Sequence, residues 1–358
     1  MKKFLNGIAL ILCVMSFCVF AGCSYANNSP APAPGPIPGQ TGILEIKAGV
    51  KPDDVFGEQT MPIFSSPSVD HIFISESGAG LKGYLIASDD EDASTCEGYS
   101  GSTDIVKYQW YSGTTGNWQL LTGETSGRIQ ITIVPGTTYY ICEALSEDGN
   151  SKTYSNVCTI QCGIEGVTDN IGKIAYSDGT YSSEYNSEKT PIGVIYDVYP
   201  NGNPKLILNF NYASSESWSH SELAYDKNFI KDVTTPISYI DGSKTWQVIC
   251  DNIDAKELDL FYAFVFCNNL TDGNKNWYLP ARDELVTLYY NKPAVEAAFR
   301  TLKDGGFLDR LLEMEGWYCS SSQYSTLNYC SWGVDFTDGD YFLLNKKKRA
   351  GVFAISHF

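Results

Sequence analysis

Hydrophobic and polar positions alternate in short runs along the first half of the chain. The alternation is clearest in Arg128–Val134, and the turn residues Pro135 and Gly136 end that run. Other runs of this kind occupy Gly83–Ala87, Val106–Tyr111, Thr138–Cys142 and Ser155–Ile160. Because the side chains of a strand point alternately to opposite faces, the pattern predicts several short strands. At this spacing they indicate an all-β sandwich over residues 42–162.

Two of these strands resemble the central strands of immunoglobulin-like domains. Tyr108–Tyr111 resembles the strand whose tryptophan packs in the core, and Tyr139–Cys142 resembles the later strand that carries a core cysteine. Tyr140 stands two residues before that cysteine, as in the family's tyrosine corner. The resemblance implies an immunoglobulin-like sandwich with Trp110 in its core. Leu85 stands where the family has its first core cysteine, so the usual inter-sheet disulfide is not expected.

The second half mixes helical and strand periods. Leu285, Leu288 and Phe299 mark one apolar face over residues 281–304, in two short helices broken at Pro293, and residues 255–267 also have a helical period. Strand patterns surround these helices at Thr190–Val198, Trp317–Ser320, Ser331–Phe336, Tyr341–Leu344 and Gly351–Ile355. The mixture predicts an α+β domain over residues 168–358.

Four parts of this region resemble the Lcl C-terminal domain family of bacterial surface proteins and collagen-like adhesins, in the family's order. They are Ser177–Tyr181, Pro191–Ile195, Asn276–Leu285, and Trp317–Tyr324 taken with Trp332–Gly339. That family is similar in fold to C-type lectins. The resemblance therefore implies a C-type-lectin-like binding module, in some members for sulfated or other glycans.

Aromatic and basic side chains of this region are the candidate ligand-binding residues. They are Trp317, Tyr324, Trp332, Lys346, Lys347, Lys348 and Arg349. The aromatic rings could stack on a sugar or peptide, and the basic run could bind sulfate or carboxylate groups. Two alternatives stay open: the tryptophans close a hydrophobic core, and the basic run is a solvated turn between strands.

The cysteines favour disulfides over metal. If the strands around Cys319 and Cys330 pair as an antiparallel hairpin, these two residues lie near each other, and Cys250 and Cys267 then form a second bridge. In the sandwich, Cys96 follows the acidic loop Asp89–Asp92, and Cys158 and Cys162 are its rival candidates for a bridge to Cys142. No Cys-x-x-Cys pair exists, and the three histidines lie far apart, so no metal site is predicted.

The first residues have the features of an export signal. A positive start at Lys2 and Lys3 precedes an apolar run, Ile8–Phe20, which is too short for a comfortable membrane span. Ala21-Gly22-Cys23 then resembles a bacterial lipobox, although Phe20 stands where leucine is usual. The resemblance implies a signal peptide over 1–22 and lipidation of Cys23 with acyl chains such as palmitate. The alternative is an ordinary secretory signal.

Residues 23–41 follow the predicted signal peptide as a linker. Their alternating prolines favour an extended spacer between the lipid and the folded part. Ser24 replaces the aspartate that often retains lipoproteins at the inner membrane. These features predict a protein of the bacterial cell envelope, anchored by lipid in the outer membrane or at the cell surface.

The negative net charge and the absence of a recognisable set of catalytic residues in the sequence limit the classes of function to be expected. The formal net charge of −17 disfavours nucleic acid as a partner. Ser320, Ser321 and Ser322 have no histidine at a plausible position to activate them except His357 at the end of the chain, and no cofactor motif is present. We therefore expect a non-enzymatic binding or adhesion protein for a glycan or surface ligand. The alternative is a structural envelope component that binds another protein.

Overall fold

The computed structural model describes residues 71–86, 107–114, 117–145, 152–154, 157–220, 239–252, 257–312, 314–324 and 329–358. Over these ranges the protein is rich in β-structure, with sixteen strands and four α-helices. All of these residues belong to one compact unit, Pro34–Phe358. The predicted signal peptide, Cys23, the linker, Cys96 and the Asp89–Asp92 loop lie outside the described residues.

The first eight strands form a six-stranded and a two-stranded sheet. They are β1 (His71–Ile74), β2 (Lys82–Ile86), β3 (Lys107–Thr114), β4 (Asn117–Leu120), β5 (Arg128–Thr132), β6 (Gly136–Leu145), β7 (Lys152–Tyr154) and β8 (Cys158–Cys162). The larger sheet has the order β1-β8-β6-β3-β4 with β7 on β6, and β2 pairs with β5. All pairs are antiparallel except β1 with β8. This arrangement is compatible with the predicted immunoglobulin-like sandwich.

Trp110 lies in the core of this part, as its position in the strand pattern predicts. Its side chain is fully buried and it pairs in register with Cys142 on the neighbouring strand. Leu85, from the two-stranded sheet, belongs to the same hydrophobic cluster. The indole Nε1 donates a hydrogen bond to the Ser126 carbonyl oxygen at 2.8 Å, so its polar edge is satisfied within the core.

The remaining strands form one eight-stranded sheet. They are β9 (Ile174–Tyr176), β10 (Tyr181–Ser182), β11 (Pro191–Val198), β12 (Pro204–Ser217), β13 (Trp317–Gln323), β14 (Cys330–Asp335), β15 (Tyr341–Asn345) and β16 (Arg349–His357), in the order β10-β9-β11-β12-β16-β13-β14-β15. The helices are α1 (Ser243–Asn252), α2 (Tyr262–Asn268), α3 (Arg282–Tyr290) and α4 (Lys292–Asp304). Strands and helices thus share this half of the chain, but the arrangement does not identify it as lectin-like.

The helix break in this half falls at Asn291, not at Pro293. Pro293 lies in the first turn of α4, where its missing N–H costs nothing. The Asn291 main-chain N–H donates to the carbonyl oxygens of Thr287 and Leu288, which ends α3. Asn291 therefore closes one helix and opens the next.

The Asn291 side chain joins three elements. Its Oδ1 accepts a hydrogen bond from the Ser75 main-chain N–H at 2.9 Å. Its Nδ2 donates to the carbonyl oxygens of Phe73 at 2.8 Å and Tyr196 at 2.9 Å. The residue is fully buried. One amide thus fixes the end of β1 against β11 and against the junction of α3 and α4.

The sandwich and the C-terminal half share a hydrophobic core rather than a linker. One cluster contains Leu85 and Trp110 together with Leu285 and Tyr290 of α3. Between the two parts, the Tyr289 hydroxyl of α3 donates to the Lys82 carbonyl oxygen of β2 at 2.6 Å. The sandwich is therefore packed against the C-terminal half as part of the same fold.

Neither predicted C-terminal disulfide is present in this structure: Cys250, Cys267 and Cys319 are free thiols, and Cys330 is disulfide-bonded to a residue other than Cys319. The hairpin of β13 and β14 does form, but its register places Cys319 opposite Gly333. A register shift follows in β13, and the Tyr324 N–H then donates to the Cys330 carbonyl oxygen. Irregular pairing that the residue count could not reveal thus separates Cys319 from Cys330.

No helix among the described residues is both long enough and apolar enough to cross a bilayer.

We expect Asn291→Ala to lower the free energy of unfolding by roughly 4 kcal/mol, because it leaves a buried N–H and two buried carbonyl groups without partners. Urea unfolding of the full chain measures this. Asn276→Ala, at an exposed position, is the matched control and should change the free energy by less than about 0.5 kcal/mol. Equal effects of the two substitutions would contradict the role given to Asn291.

Candidate functional site

Three of the seven predicted ligand-binding side chains are buried. Tyr324 is 1% exposed, and Trp332 and Lys346 are 0% exposed. These three cannot stack on or bind a ligand at the surface, so their assignment is corrected. Trp317, in contrast, is 56% exposed. Lys347 is partly buried, whereas Lys348 in the turn between β15 and β16 and Arg349 at the start of β16 are exposed.

Trp332 closes the core, which was the alternative left open for the tryptophans. Its ring meets Tyr324 edge-on at 5.8 Å and Tyr341 at 6.3 Å between centroids. The Arg282 guanidinium lies 5.0 Å from its ring centroid. Trp332 faces this packed side of the sheet, so its ring supports the fold and not a ligand.

The serine run of β13 is also structural. Ser320, Ser321 and Ser322 are fully buried. The Ser320 hydroxyl donates to the Trp332 carbonyl oxygen at 2.9 Å, and the Ser322 hydroxyl accepts from the Arg282 N–H at 2.9 Å. These bonds join β13 to β14 and to the start of α3.

Lys346 points inward although it begins the basic run. Asn345 makes a turn by accepting hydrogen bonds from the N–H groups of Lys347 and Lys348. The Lys346 ammonium nitrogen contacts Gln323 Oε1 and lies 4.0 Å from the Trp218 ring centroid. Burial without a carboxylate partner lowers the pKa of Lys346 well below its usual value. This lysine cannot serve as a surface cation for sulfate.

Glu284 is another buried ionisable group in this half. Its Oε2 accepts from the N–H groups of Ala281 at 2.7 Å and Gly242 at 3.0 Å, and its Oε1 accepts from the Tyr278 hydroxyl at 3.0 Å. The carboxylate thereby caps α3 and ties the start of α1 to it. Burial raises the pKa of Glu284 to about 7, against the effect of those donors.

Trp317 is the exposed residue around which a ligand site can be built. It begins β13 and pairs in register with Asp335 of β14. Its indole Nε1 donates a hydrogen bond to Asp335 Oδ2 at 2.8 Å, and its ring centroid lies 5.1 Å from that of Phe342 on β15. We refer to Trp317, Asp335 and Phe342 together as the Trp317 clamp.

Gly333 leaves room for the aromatic pair on the strand between them. A Cβ at Gly333 would lie 3.2 Å from Phe342 Cζ and 3.2 Å from the Tyr318 carbonyl oxygen. Even an alanine there would make the Phe342 ring or the Tyr318 carbonyl group shift by a few tenths of an ångström. The clamp therefore depends on a bare stretch of backbone in β14.

The loop that carries Asp335 is fixed from both ends. Asp335 Oδ1 accepts from the Thr337 N–H at 2.8 Å, and its carbonyl oxygen accepts from the Gly339 N–H at 2.8 Å. Asp340, at the end of the loop, forms an ion pair with Arg128 of β5. Packing between the two parts of the protein thus helps to hold the carboxylate that orients Trp317.

Within the ranges that the structure describes, no group of three or more histidine, cysteine or acidic residues is arranged to hold a metal ion. The acidic residues of the Asp335 loop act in turn hydrogen bonds and in the ion pair described above. Asp338 Oδ1, for example, accepts from the Asp340 N–H at 3.0 Å.

Comparisons with known proteins give no family for this chain. No protein-family model matches it, and no curated protein matches it. The resemblances to lipoproteins, immunoglobulin-like domains and the Lcl C-terminal family therefore rest on the residues quoted above. Among solved structures, a fimbrial protein from Bacteroides ovatus ATCC 8483 is similar, with 12% identity over 80% of this chain and 69% of that chain. Its TM-score is 0.38, which supports no inference about this chain.

We expect Glu284 to make stability depend on pH between its ordinary pKa of 4.5 and its folded value of about 7. The folded state holds the proton more tightly than the unfolded state there, so stability falls as pH rises through this window, by roughly 3 kcal/mol in total. Urea unfolding at several pH values should show this fall in the wild type and not in Glu284→Gln. The exposed Glu188→Gln serves as control, and parallel profiles for all three proteins would contradict the assignment.

We expect Lys346 to act in the opposite direction at alkaline pH. Its folded pKa is lowered, so the unfolded state binds more protons, and stability rises with pH from the folded pKa toward 10.5. The contribution is about 1.4 kcal/mol per pH unit inside that window. Lys346→Met should lose this rise relative to the wild type as pH increases toward 10.5, whereas the exposed Lys348→Met keeps it. A Lys346→Met profile parallel to the wild type would count against a buried neutral lysine.

Proposed function

We propose that this protein is a lipid-anchored protein of the bacterial surface that binds a glycan, without catalysis, at the Trp317 clamp. One observation carries the proposal. Trp317 is the most exposed of the large apolar side chains in the described ranges, and it is nevertheless held in a defined orientation.

The clamp suits a ligand with an apolar face and a hydroxyl-bearing rim. Tryptophan and phenylalanine offer a large, flat and rigid contact surface, and contact with it removes apolar area from water. Because Asp335 already restrains the Trp317 ring, little side-chain entropy remains to be lost when a ligand binds. The Asp335 carboxylate has further lone pairs that can accept hydrogen bonds from hydroxyl groups. A sugar ring has both of these surfaces.

Anchoring rests on the residues at the start of the chain. The lipobox-like Ala21-Gly22-Cys23 and the proline-rich linker would place the folded part outside the membrane, with lipid on Cys23 as its attachment. Lys348 and Arg349 remain exposed and could contact an acidic group of the ligand, in a smaller role than the full basic run was expected to have.

We expect Trp317→Ala to weaken glycan binding at least tenfold while leaving the urea midpoint almost unchanged, because the side chain is more than half exposed. A glycan array followed by titration of the best ligand measures this. The full folded chain must be used, since the C-terminal half shares its core with the sandwich. Tyr199→Ala, which removes another exposed aromatic ring (46%), is the matched control.

Two outcomes would overturn the proposal. Unchanged binding in Trp317→Ala would show that the ligand binds elsewhere. A silent array, together with a co-purifying envelope protein that is lost in Trp317→Ala, would favour the alternative of a structural component that binds protein through the same face.

A further inference from the structure

Cys267 lies on the face of α2 that packs against the eight-stranded sheet. Ala263 and Phe264 of that face are buried with it. The Cys267 thiol donates a weak hydrogen bond to the Phe353 carbonyl oxygen on β16, with the sulfur 3.5 Å from the oxygen. The last turn of α2 therefore lies directly over β16.

Cys319 comes to the same place from β13. The preceding residue, Tyr318, pairs with Gly351 of β16, and its ring stacks on Phe353 with the centroids 3.9 Å apart. Since consecutive side chains of a strand point to opposite faces, Cys319 points away from Tyr318 and toward the face that α2 covers. Both thiols are fully buried in one hydrophobic cluster, together with Val352 of β16.

We propose that Cys267 and Cys319, whose thiols are free in this structure, form a disulfide when the chain folds in an oxidising compartment, which would cross-link α2 to β13. This rests on the export included in the proposed function. The oxidant is an exported thiol–disulfide oxidoreductase in its disulfide form. A thiolate of the pair attacks that disulfide, breaks its S–S bond and forms a mixed disulfide, and the second thiolate then attacks the protein sulfur of the mixed disulfide and displaces the oxidoreductase thiolate. Two S–H bonds are lost as protons, one S–S bond forms, and the oxidant leaves as a dithiol.

Burial determines when this reaction can take place. It raises the pKa of Cys319 to about 12 and the pKa of Cys267 well above its usual value, the latter also through the neighbouring Cys319. Only a thiolate exchanges, so the folded interior suppresses the reaction in both directions. The bond therefore forms before α2 docks on the sheet, and the folded protein then protects it from reductants.

Non-reducing peptide mapping tests the pairing. The full chain is exported with its own leader, recovered from the envelope fraction, alkylated under denaturing conditions and digested. We expect a linked peptide pair that contains Cys267 and Cys319, and an alkylated Cys250. Alkylated Cys267 and Cys319 in that fraction would overturn the pairing and leave export intact. A chain found only in the cytoplasm would overturn both.

Thermal melting separates a covalent bond from simple packing of two thiols. A disulfide that closes the loop between residues 267 and 319 restricts the unfolded chain and so stabilises the folded protein. Reduction should therefore lower the melting temperature of the wild type by roughly 5–10 °C more than that of the Cys267→Ser/Cys319→Ser variant. Cys250→Ser is the matched control and should respond to reduction like the wild type. Equal responses of the double variant and the wild type would overturn the proposal.

Discussion

The buried amide of Asn291 is the interaction on which the arrangement of the two halves depends. A carboxamide can accept and donate at once, and Asn291 uses both capacities on main-chain groups of elements far apart in sequence. Such bonds are strong inside a dry core because the alternative is a buried polar group without a partner. The amide therefore specifies how β1, β11 and the helix pair meet. The apolar cluster around it supplies most of the stabilisation.

The geometry of the Trp317 clamp depends on the packing of the sandwich against the C-terminal half. The Asp335 loop is held by its own turn hydrogen bonds and by the ion pair of Asp340 with Arg128 from the sandwich. Asp335 then orients Trp317, whose ring would otherwise be free to change rotamer at the surface. A surface aromatic that is restrained in this way is a better binding element than a mobile one, because its entropy cost falls on folding rather than on binding.

The strand patterns located most of the elements, and their failures have physical reasons. Alternation predicted the regions of β2, β3, β5, β6 and β8, because a half-buried strand places its apolar side chains on one face. Clusters of apolar and aromatic residues predicted the regions of β11, β13, β14, β15 and β16, most of which are buried on both faces. Both patterns missed β12, the longest strand, whose serine-rich end has no apolar period, and they missed α1. The Cys319–Cys330 pair failed because a register shift, invisible in a count of residues, decides which side chains face each other across a hairpin. The Cys250–Cys267 pair failed because its members lie in two different helices, and no local pattern gives the distance between them.

The candidate site residues also differ in burial in a way that local sequence did not predict. Trp317 and Trp332 stand in similar sequence surroundings on paired strands, yet one is exposed and the other fully buried, because only Trp332 faces the side of the sheet that α3 covers. Lys346 and Lys348 differ in the same way within one basic run.

The sequence by itself determined the β-rich character, the positions of most strands, the pair of helices α3 and α4, the acidic charge and the signal-like pattern of the first residues. These follow from local patterns of side chains that any fold must satisfy. Only the tertiary structure decided which tryptophan meets solvent, which lysine is buried, which thiols share a core and that the two halves form one body. Those outcomes depend on contacts between residues distant in sequence, and local periodicity carries no information about such contacts.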